Sequence, residues 1–240
     1  MNAAIVTARA GSKSIRDKNV FPVGGRPLVA YPIDAARAAR RISAVLVSTD
    51  GESIAAVARE RGCQVIERPD ELGGDHVNHG DVIRHAVREA DRRLDGLRNV
   101  VLLLGNTVMI DGPLIDRCLA ILEDEPELDS VMTVWEAADD HPLRALEIGE
   151  DGLLSPYGDP RREVSTERQS YPPAYYYDQG VWAFRKECVE RRDGPNPWWW
   201  MGRRCRPVVR EWVTGRDVHT VFDVAIAEWW LDRNPGGGSG

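Results

Sequence analysis

The chain has 240 residues, of which 42% are hydrophobic and 29% charged, and its formal net charge is −7. This composition is typical of a globular protein, and the negative balance argues against an extended nucleic-acid-binding surface. The longest apolar run covers only residues 100–104, too short for a bilayer, and no basic segment precedes an apolar one at the N-terminus. We therefore expect a cytoplasmic protein without membrane or nucleic-acid partners.

A first strand, predicted over residues 3–6, runs directly into a loop of small and basic residues. Small residues let backbone N–H groups approach an anion closely, and cations neutralise it. The loop matches neither the Walker pattern nor the dinucleotide fingerprint. It predicts a triphosphate site, with a basic surface turn as the alternative. Its candidate residues are Ala8, Arg9, Ala10, Gly11, Ser12, Lys13, Lys18 and Asn19.

The next elements alternate between helix and strand. Apolar spacing predicts a helix over 28–40, a strand over 44–47, a helix over 53–62 and a strand over 64–66. This order predicts an α/β fold with a doubly wound, mostly parallel sheet. Ligands of such sheets bind at the carboxyl ends of the strands, where the basic loop is placed.

The second half continues the pattern. We predict helices over 82–93, 113–123 and 224–231, and strands over 99–105, 129–135, 175–184 and 207–213. The three tryptophans at 198–200 suggest a pocket lid or an interface patch, with core packing as the alternative. Residues 236–240 form a Gly-rich tail that we expect to be flexible, which leaves 1–235 as one domain.

The basic loop resembles the signature loop of the acylneuraminate cytidylyltransferases, Ala-Arg-x-Gly-Ser-Lys-x-Ile followed by Lys-Asn. Residues 8–15 and 18–19 match it position by position. Similar phrases occur at 24–28, 48–50, 129–134 and 141–145, so the resemblance covers nearly the whole chain. It implies a Rossmann-like nucleotidyltransferase fold, CTP as a substrate, Mg²⁺ as the cofactor and a homodimer.

The resemblance also implies roles for nucleotide-binding residues. Arg9, Lys13 and Lys18 would offset the charge that grows on the leaving pyrophosphate. Arg68 would contact the cytidine. Asn78 and His79 lie near a position where the family has a hydroxyl residue, and the alternative is that both merely begin the next helix.

The metal-binding motif of the family, Asp-x-Asp-x-x-x-Asp, is matched by Asp217, His219 and Asp223. Magnesium prefers hard oxygen ligands, so Asp217 is the strongest candidate. His219 is a departure that would favour Mn²⁺, Co²⁺ or a water-mediated contact. Asp223 has a second interpretation as the cap of the last helix.

The acceptor site is where the sequence departs most from the family. Only Thr107 survives from the sialate phrase, and Asn106 precedes it. By resemblance, Gln179 would line the sugar pocket. Arg168 would come from an arm at 153–175 that packs on a second subunit, and its alternative is a solvated charge. We therefore expect an acceptor other than an ordinary N-acylneuraminate.

Together these observations predict a cytidylyltransferase that transfers CMP from CTP to a small anionic, sugar-acid-like acceptor and releases pyrophosphate. One alternative keeps the chemistry with a phosphonate or pseudo-sugar phosphate acceptor, or with another nucleoside triphosphate. A second alternative is a catalytically silent nucleotide-binding protein, which the His at position 219 would favour.

Overall fold

The computed structural model of the chain describes residues 1–12, 14–74, 76–158, 164–167 and 170–234. Within them the strands, in chain order, are β1 Asn2–Thr7, β2 Pro22–Val23, β3 Arg26–Pro27, β4 Ala44–Thr49, β5 Gln64–Glu67, β6 Asn99–Leu104, β7 Ser130–Glu136, β8 Leu146–Ile148, β9 Leu154–Pro156, β10 Tyr175–Arg185 and β11 Cys205–Arg210. The α-helices are α1 Ala30–Ala38, α2 Glu52–Glu60, α3 His79–Arg93, α4 Gly112–Asp124, α5 Cys188–Arg191 and α6 Val221–Arg233.

Seven of these strands form one sheet in the order β11-β7-β10-β6-β1-β4-β5. Strand β10 is antiparallel to both of its neighbours, and every other pairing in the sheet is parallel. Strand β1 is buried at all six positions, which explains why it reads as a continuous apolar run. The predicted doubly wound, mostly parallel sheet is confirmed.

Helices cover both faces of the sheet. One apolar cluster packs α1, α2 and α4 against one face, and a second packs α3 and α5 against the other. This layering leaves the carboxyl ends of β1, β4 and β6 open at one edge, beside the loop that follows β1. No helix in the described ranges is both long enough and apolar enough to cross a membrane.

Three elements differ from the sequence prediction. Helix α3 begins at His79 rather than at Val82, because Asn78 caps it with a side-chain oxygen that accepts from the Gly80 amide at 2.8 Å. The last strand ends at Arg210, and the chain then turns through a short 3₁₀ helix, Trp212–Gly215. The β8–β9 hairpin was not predicted.

Of the two interpretations of the tryptophans at 198–200, the structure supports core packing for Trp199 and Trp200, while Trp198 is partly buried beside them. Trp199 and Trp200 are 6% and 4% exposed and belong to the cluster that packs against α3. A short 3₁₀ turn, Trp199–Met201, lets adjacent side chains point in different directions. Trp199 packs so closely on Gly80 that a Cβ there would lie 2.5 Å from its ring.

Candidate active site

A cleft with a volume of about 420 Å³, called the first cleft below, opens at the carboxyl ends of β1 and β6. It collects most of the residues that the sequence singled out for a nucleotide, although they come from distant parts of the chain. Its lining residues are Thr7, Ala8, Arg9, Ser12, Ser14, Lys18, Asn19, Arg68, His79, Leu104, Asn106 and His219.

Two hydrogen bonds fix the backbone at the start of the loop after β1. The Ala10 amide donates to Asp50 Oδ1 at 2.8 Å, and Asn19 Nδ2 donates to the Arg9 carbonyl at 2.8 Å. Gly105 lies directly beneath the loop, and a Cβ at this position would lie 2.6 Å from the Ala8 Cβ. The backbone of Arg9 and Ala10 is therefore fixed by contacts within the protein.

Two of the predicted cations lie in this cleft. Lys18 Nζ donates to the Val218 carbonyl at 2.9 Å. Burial lowers the pKa of Lys18, Asp217 opposes this effect, and Arg9 adds to it. Lys18 and Arg9 therefore place positive charge at the same edge of the sheet. Lys13, the third predicted cation, lies outside the described residues.

Arg68 is anchored on the neighbouring strand. Its Nε donates to Ser48 Oγ at 3.1 Å, and its Nη2 donates to the Ser48 carbonyl at 2.8 Å. Burial lowers the pKa of Arg68 to about 10, while Asp50 acts in the opposite direction. Arg68 is therefore still protonated at neutral pH and supplies a third positive charge to the cleft.

His79 lines the cleft as a neutral side chain. Its Nε2 lies 3.2 Å from Thr7 Oγ1, and its ring meets Trp200 edge to face at a centroid distance of 6.1 Å. Burial, and secondarily the charge of Arg68, lowers the pKa of His79 to about 4. A neutral imidazole offers one donor and one acceptor. Asn78, by contrast, is exposed as the helix cap, and the structure does not bring it into the cleft.

Asp217 contacts two residues that line the first cleft, Asn106 and His219. Its Oδ2 accepts from Asn106 Nδ2 at 2.6 Å and lies 2.9 Å from His219 Nε2. Asn106 Nδ2 also donates to the Val218 carbonyl at 3.1 Å, and the Asn106 backbone carbonyl accepts from the Val218 amide at 2.9 Å. Asn106 therefore attaches the segment before α6 to the end of β6.

Asp223 caps helix α6 instead of joining Asp217 and His219. Its Oδ2 accepts from the Thr220 amide at 2.8 Å and from the His219 amide at 3.1 Å, while its Oδ1 accepts from Arg216 Nη2 at 3.0 Å. Burial alone would raise the pKa of Asp223, but hydrogen bonds from Arg216 and Thr220 outweigh it and lower the pKa. Across the described ranges, no three Asp, Glu, His or Cys side chains converge as a metal site. The predicted three-residue ligand set is therefore not assembled.

The remaining candidate metal ligand, Asp217, still fits a magnesium ion. Mg²⁺ is usually bound by one or two carboxylates together with substrate phosphates and water, not by an all-protein cage. Asp217 supplies one hard oxygen ligand in a neighbouring cleft, next to His219, where that cleft meets the first one. In the part of the chain that the structure describes, its Oδ1 has no hydrogen-bond partner, whereas its Oδ2 is held by Asn106.

A second cleft, with a volume of about 410 Å³, meets the first at His219, which lines both. It is lined by Trp135, Tyr176, Tyr177, Gln179, Trp212, Gly215, Arg216, Asp217, His219 and Asp223. Gln179 thus lies in this cleft, but Thr107 does not line it. Thr107 is buried, and its Oγ1 donates to the Gln179 carbonyl at 2.8 Å. Arg168 lies outside the described residues.

A buried ion pair, which no sequence motif predicted, shapes β10 beside the second cleft. Arg210 Nη1 donates to Asp178 Oδ2 at 2.9 Å, with the two side chains 8% and 0% exposed. Asp178 Oδ1 also accepts from Thr133 Oγ1 and, at 2.8 Å, from the Gly180 amide. The register of β10 against β7 shifts between Tyr177 and Trp182, around this aspartate. The sequence signal was an Asp between the tyrosines and the apolar second half of the strand.

Comparison with known proteins assigns the chain to a family. A family model described as cytidylyltransferase matches residues 3–145. The chain is similar to an N-acylneuraminate cytidylyltransferase of Escherichia coli O18:K1:H7, with 39% identity over 35% of this chain and 20% of the relative. It is 28% identical to a 3-deoxy-manno-octulosonate cytidylyltransferase of Bdellovibrio bacteriovorus over 60% of this chain and 52% of the relative. The match thus spans at most about half the length of these two relatives.

A full-length relative and two solved structures extend the comparison. A CMP-N,N'-diacetyllegionaminic acid synthase of Campylobacter jejuni is 21% identical over 94% of this chain and 93% of the relative. A CMP:2-keto-3-deoxy-manno-octonic acid synthetase complexed with CTP superposes with a TM-score of 0.70 at 16% identity, over 97% of this chain and 99% of the other. A 4-diphosphocytidyl-2C-methyl-D-erythritol synthase of Anaerococcus prevotii has a TM-score of 0.65 at 17% identity, over 97% and 98%. The likeness to these structures shows the fold.

Proposed function

The chain belongs to the cytidylyltransferase family, and on that premise we propose that it transfers CMP from CTP to a small anionic acceptor, with release of pyrophosphate. One observation carries the proposal. Arg9, Lys18 and Arg68 converge on a single cleft at the carboxyl edge of the sheet, and a neutral His79 lies beside them. Three cations suit a triphosphate, and a neutral donor and acceptor suits a pyrimidine edge.

The proposed reaction is an in-line displacement. An oxygen of the acceptor attacks the α-phosphorus of CTP and forms a new P–O bond. The P–O bond to the β-phosphate breaks, its electron pair leaves with pyrophosphate, and the acceptor proton passes to solvent. Catalysis in such reactions rests on positioning and charge neutralisation.

The chain's own residues have separate tasks in this mechanism. Arg9 and Lys18 would neutralise the negative charge that develops on the leaving pyrophosphate. Arg68 and His79 would orient the cytidine. Asp217 would hold Mg²⁺, or Mn²⁺, and the ion when bound would withdraw charge from the phosphate oxygens. The second cleft would hold the acceptor, since it meets the first beside Asp217 and His219.

A changed acceptor is the second candidate, and the contacts of two residues favour it. Asn106 bonds to Asp217 and Val218, and Thr107 bonds to the Gln179 backbone. Both side chains are therefore engaged within the protein instead of facing the second cleft. These two residues therefore do not supply the acceptor contacts that the resemblance implies, which favours an acceptor other than an ordinary N-acylneuraminate, such as a phosphonate or pseudo-sugar phosphate.

We also propose that the protein is a homodimer. The β8–β9 hairpin carries large apolar side chains that are mostly exposed, with Ile148 at 74%, Leu153 at 68% and Leu154 at 66%. Clustered exposed apolar residues mark interaction surfaces. The hairpin belongs to the same region as the arm predicted at 153–175, and a second copy of the chain would cover it.

Transfer of label from CTP would test the proposed function. The protein is incubated with CTP labelled at the α-phosphate, Mg²⁺ and, in turn, 3-deoxy-manno-octulosonate, N-acetylneuraminate or phosphonoacetate. The proposal predicts a labelled CMP conjugate and equimolar pyrophosphate with an anionic acceptor. Binding of CTP without transfer to any acceptor would instead favour a catalytically silent nucleotide-binding protein.

A further inference from the structure

The second cleft has unusually aromatic walls for a site that would hold a sugar acid. Trp135 and Tyr176 stack with a centroid distance of 4.7 Å, and Tyr177 and Trp212 complete the wall. The Tyr176 hydroxyl donates to the Asp140 carbonyl at 2.8 Å, so it is already engaged. These four aromatic residues therefore form a wall of ring faces, and the polar groups of the lining come from Gln179 and from residues 216, 217, 219 and 223.

Two polar groups in this cleft have buried atoms without partners. Within the described ranges, Gln179 Oε1 and Arg216 Nε are buried and make no hydrogen bond. Buried polar atoms are normally paired, and leaving them unpaired costs free energy. Because both residues line the same cleft, one ligand could satisfy both of them.

Arg216 is available as an anion contact even though it also supports α6. It donates from Nη2 to Asp223, and its guanidinium lies 5.4 Å from the Trp212 ring centroid. Its side chain is 35% exposed, so a ligand in the cleft can reach it. A guanidinium presents five N–H donors, and one carboxylate does not use all of them.

We propose that the second cleft selects an acceptor with an oxyanion beside Arg216 and a flat or apolar face against Trp135 and Trp212. A hydrogen-bond donor of the acceptor would pair with Gln179. The cleft would accordingly favour such an acceptor over one whose oxyanion carries no flat or apolar face. This inference rests on the proposed function only in naming the ligand an acceptor, because the binding chemistry of the cleft is tested without nucleotide.

Three simple carboxylates separate the features of the inferred ligand. Benzoate carries an oxyanion and a flat face, acetate carries the oxyanion alone, and gluconate carries the oxyanion on a polyhydroxylated chain. Titration of each into the protein, followed by calorimetry, should show benzoate binding at least tenfold more tightly than the other two. Equal affinities for benzoate and gluconate would overturn the inferred selectivity.

Substitutions of Arg216 test whether the benzoate carboxylate binds in the second cleft. Arg216→Gln should weaken benzoate binding at least tenfold. Arg216→Lys, which can keep an ion pair with Asp223, should weaken it by less. The matched control is Arg233→Gln, because Arg233 also lies over a tryptophan, 4.4 Å from the Trp229 ring centroid, but outside the cleft. Benzoate affinity in this control should stay within twofold of the wild type.

Two further readouts keep the result interpretable. Unchanged benzoate affinity in both Arg216→Lys and a folded Arg216→Gln protein would contradict the inference. Loss of benzoate binding in Lys18→Ala would also contradict it, because benzoate would then bind in the first cleft. CTP affinity is measured in the same proteins and should be unchanged by Arg216→Lys. Selective benzoate binding in a protein that fails to bind CTP would contradict the proposed function and leave this inference standing.

Discussion

Asn106 Nδ2 donates a 2.6 Å hydrogen bond to Asp217 Oδ2, and this contact links two residues that are 111 positions apart in the sequence. The same nitrogen donates to the Val218 carbonyl, which also accepts from Lys18 Nζ. The end of β6, the loop after β1 and the segment before α6 are thereby held together. Asn106 positions the candidate metal ligand and does not itself line the second cleft.

Replacement of Asn106 by leucine should therefore impair catalysis even though Asn106 does not contact the acceptor in our proposal. We expect Asn106→Leu to lower kcat/KM at least tenfold, about 1.4 kcal/mol, because Asp217 loses a fixed partner. The Mg²⁺ concentration needed for half-maximal activity should rise as well. The control is Asn234→Leu, at the exposed end of α6. Wild-type Mg²⁺ dependence in Asn106→Leu would show that Asn106 does not position Asp217.

Removal of the proposed charge-neutralising groups should have a larger effect. Lys18→Ala and Asp217→Ala are each expected to lower kcat/KM at least 100-fold, about 2.7 kcal/mol. Lys186→Ala is the matched lysine control, since Lys186 pairs with Asp91 outside both clefts and should leave kinetics unchanged. Near wild-type turnover in both site variants would refute the site assignment.

The depressed pKa of His79 predicts a pH-dependent stability. The ordinary pKa of histidine is about 6.5, and burial lowers that of His79 to about 4. Between these values the unfolded chain binds a proton that the folded chain does not, so the free energy of unfolding falls as pH decreases from about 6.5 to 4. Above about pH 6.5 both states are neutral at this residue, and the contribution is flat.

Urea unfolding at several pH values measures this contribution. The difference between wild type and His79→Gln should change between about pH 4 and 6.5 and remain constant above it. The exposed His76 provides the control, because His76→Gln should retain the wild-type pH dependence. A wild-type slope in His79→Gln would mean that His79 does not have the lowered pKa.

Replacing only one partner of the buried pair of Asp178 and Arg210 should lower the stability of the protein strongly. Arg210→Met leaves a fully buried carboxylate unpaired and should destabilise the protein by about 3–5 kcal/mol. Asp178→Asn combined with Arg210→Met should recover part of this loss. Arg206→Met on the same strand removes a partly exposed pair with Glu125 and should cost at most about 1 kcal/mol. Equal losses in the two single variants would contradict this view of β10.

The apolar β8–β9 hairpin predicts the oligomeric state. We expect size-exclusion chromatography with light scattering to give the mass of a dimer for the wild type. Ile148→Asp with Leu154→Asp should give the mass of a monomer, because two charges would be buried at the interface. Glu147→Lys, at an exposed polar position of the same hairpin, tests for a general charge effect. A monomeric wild type would refute the proposed dimer.

The sheet and the first cleft were largely predictable from the sequence. Continuous apolar strands alternate with periodic helices, and residues 8–12 lie in one contiguous loop beside Lys18 and Asn19. Arg68 and His79 were found because short phrases of the sequence resemble the family. Local patterns of this kind retain their meaning in the folded protein.

The second cleft was not predictable, because its walls come from β7, β10 and the turn before α6. No local pattern brings Trp135, Tyr177 and Trp212 together. Asp223 occupies both a motif position and a helix-cap position, and only the structure shows that its oxygens are engaged in the cap. Asn106 was likewise predicted to contact the acceptor, but in the structure its side chain bonds to Asp217.

Binding of nucleotides to the intact protein tests the central claim most directly. Thermal unfolding is followed with CTP, UTP, GTP and ATP, each with Mg²⁺, and repeated with Arg68→Ala. At 100 times its Kd a ligand adds about 2.7 kcal/mol of stability, which is a clear shift in Tm. The account predicts a shift with CTP that Arg68→Ala weakens. A shift with another nucleotide alone, or with none, would contradict the assignment of the first cleft to CTP.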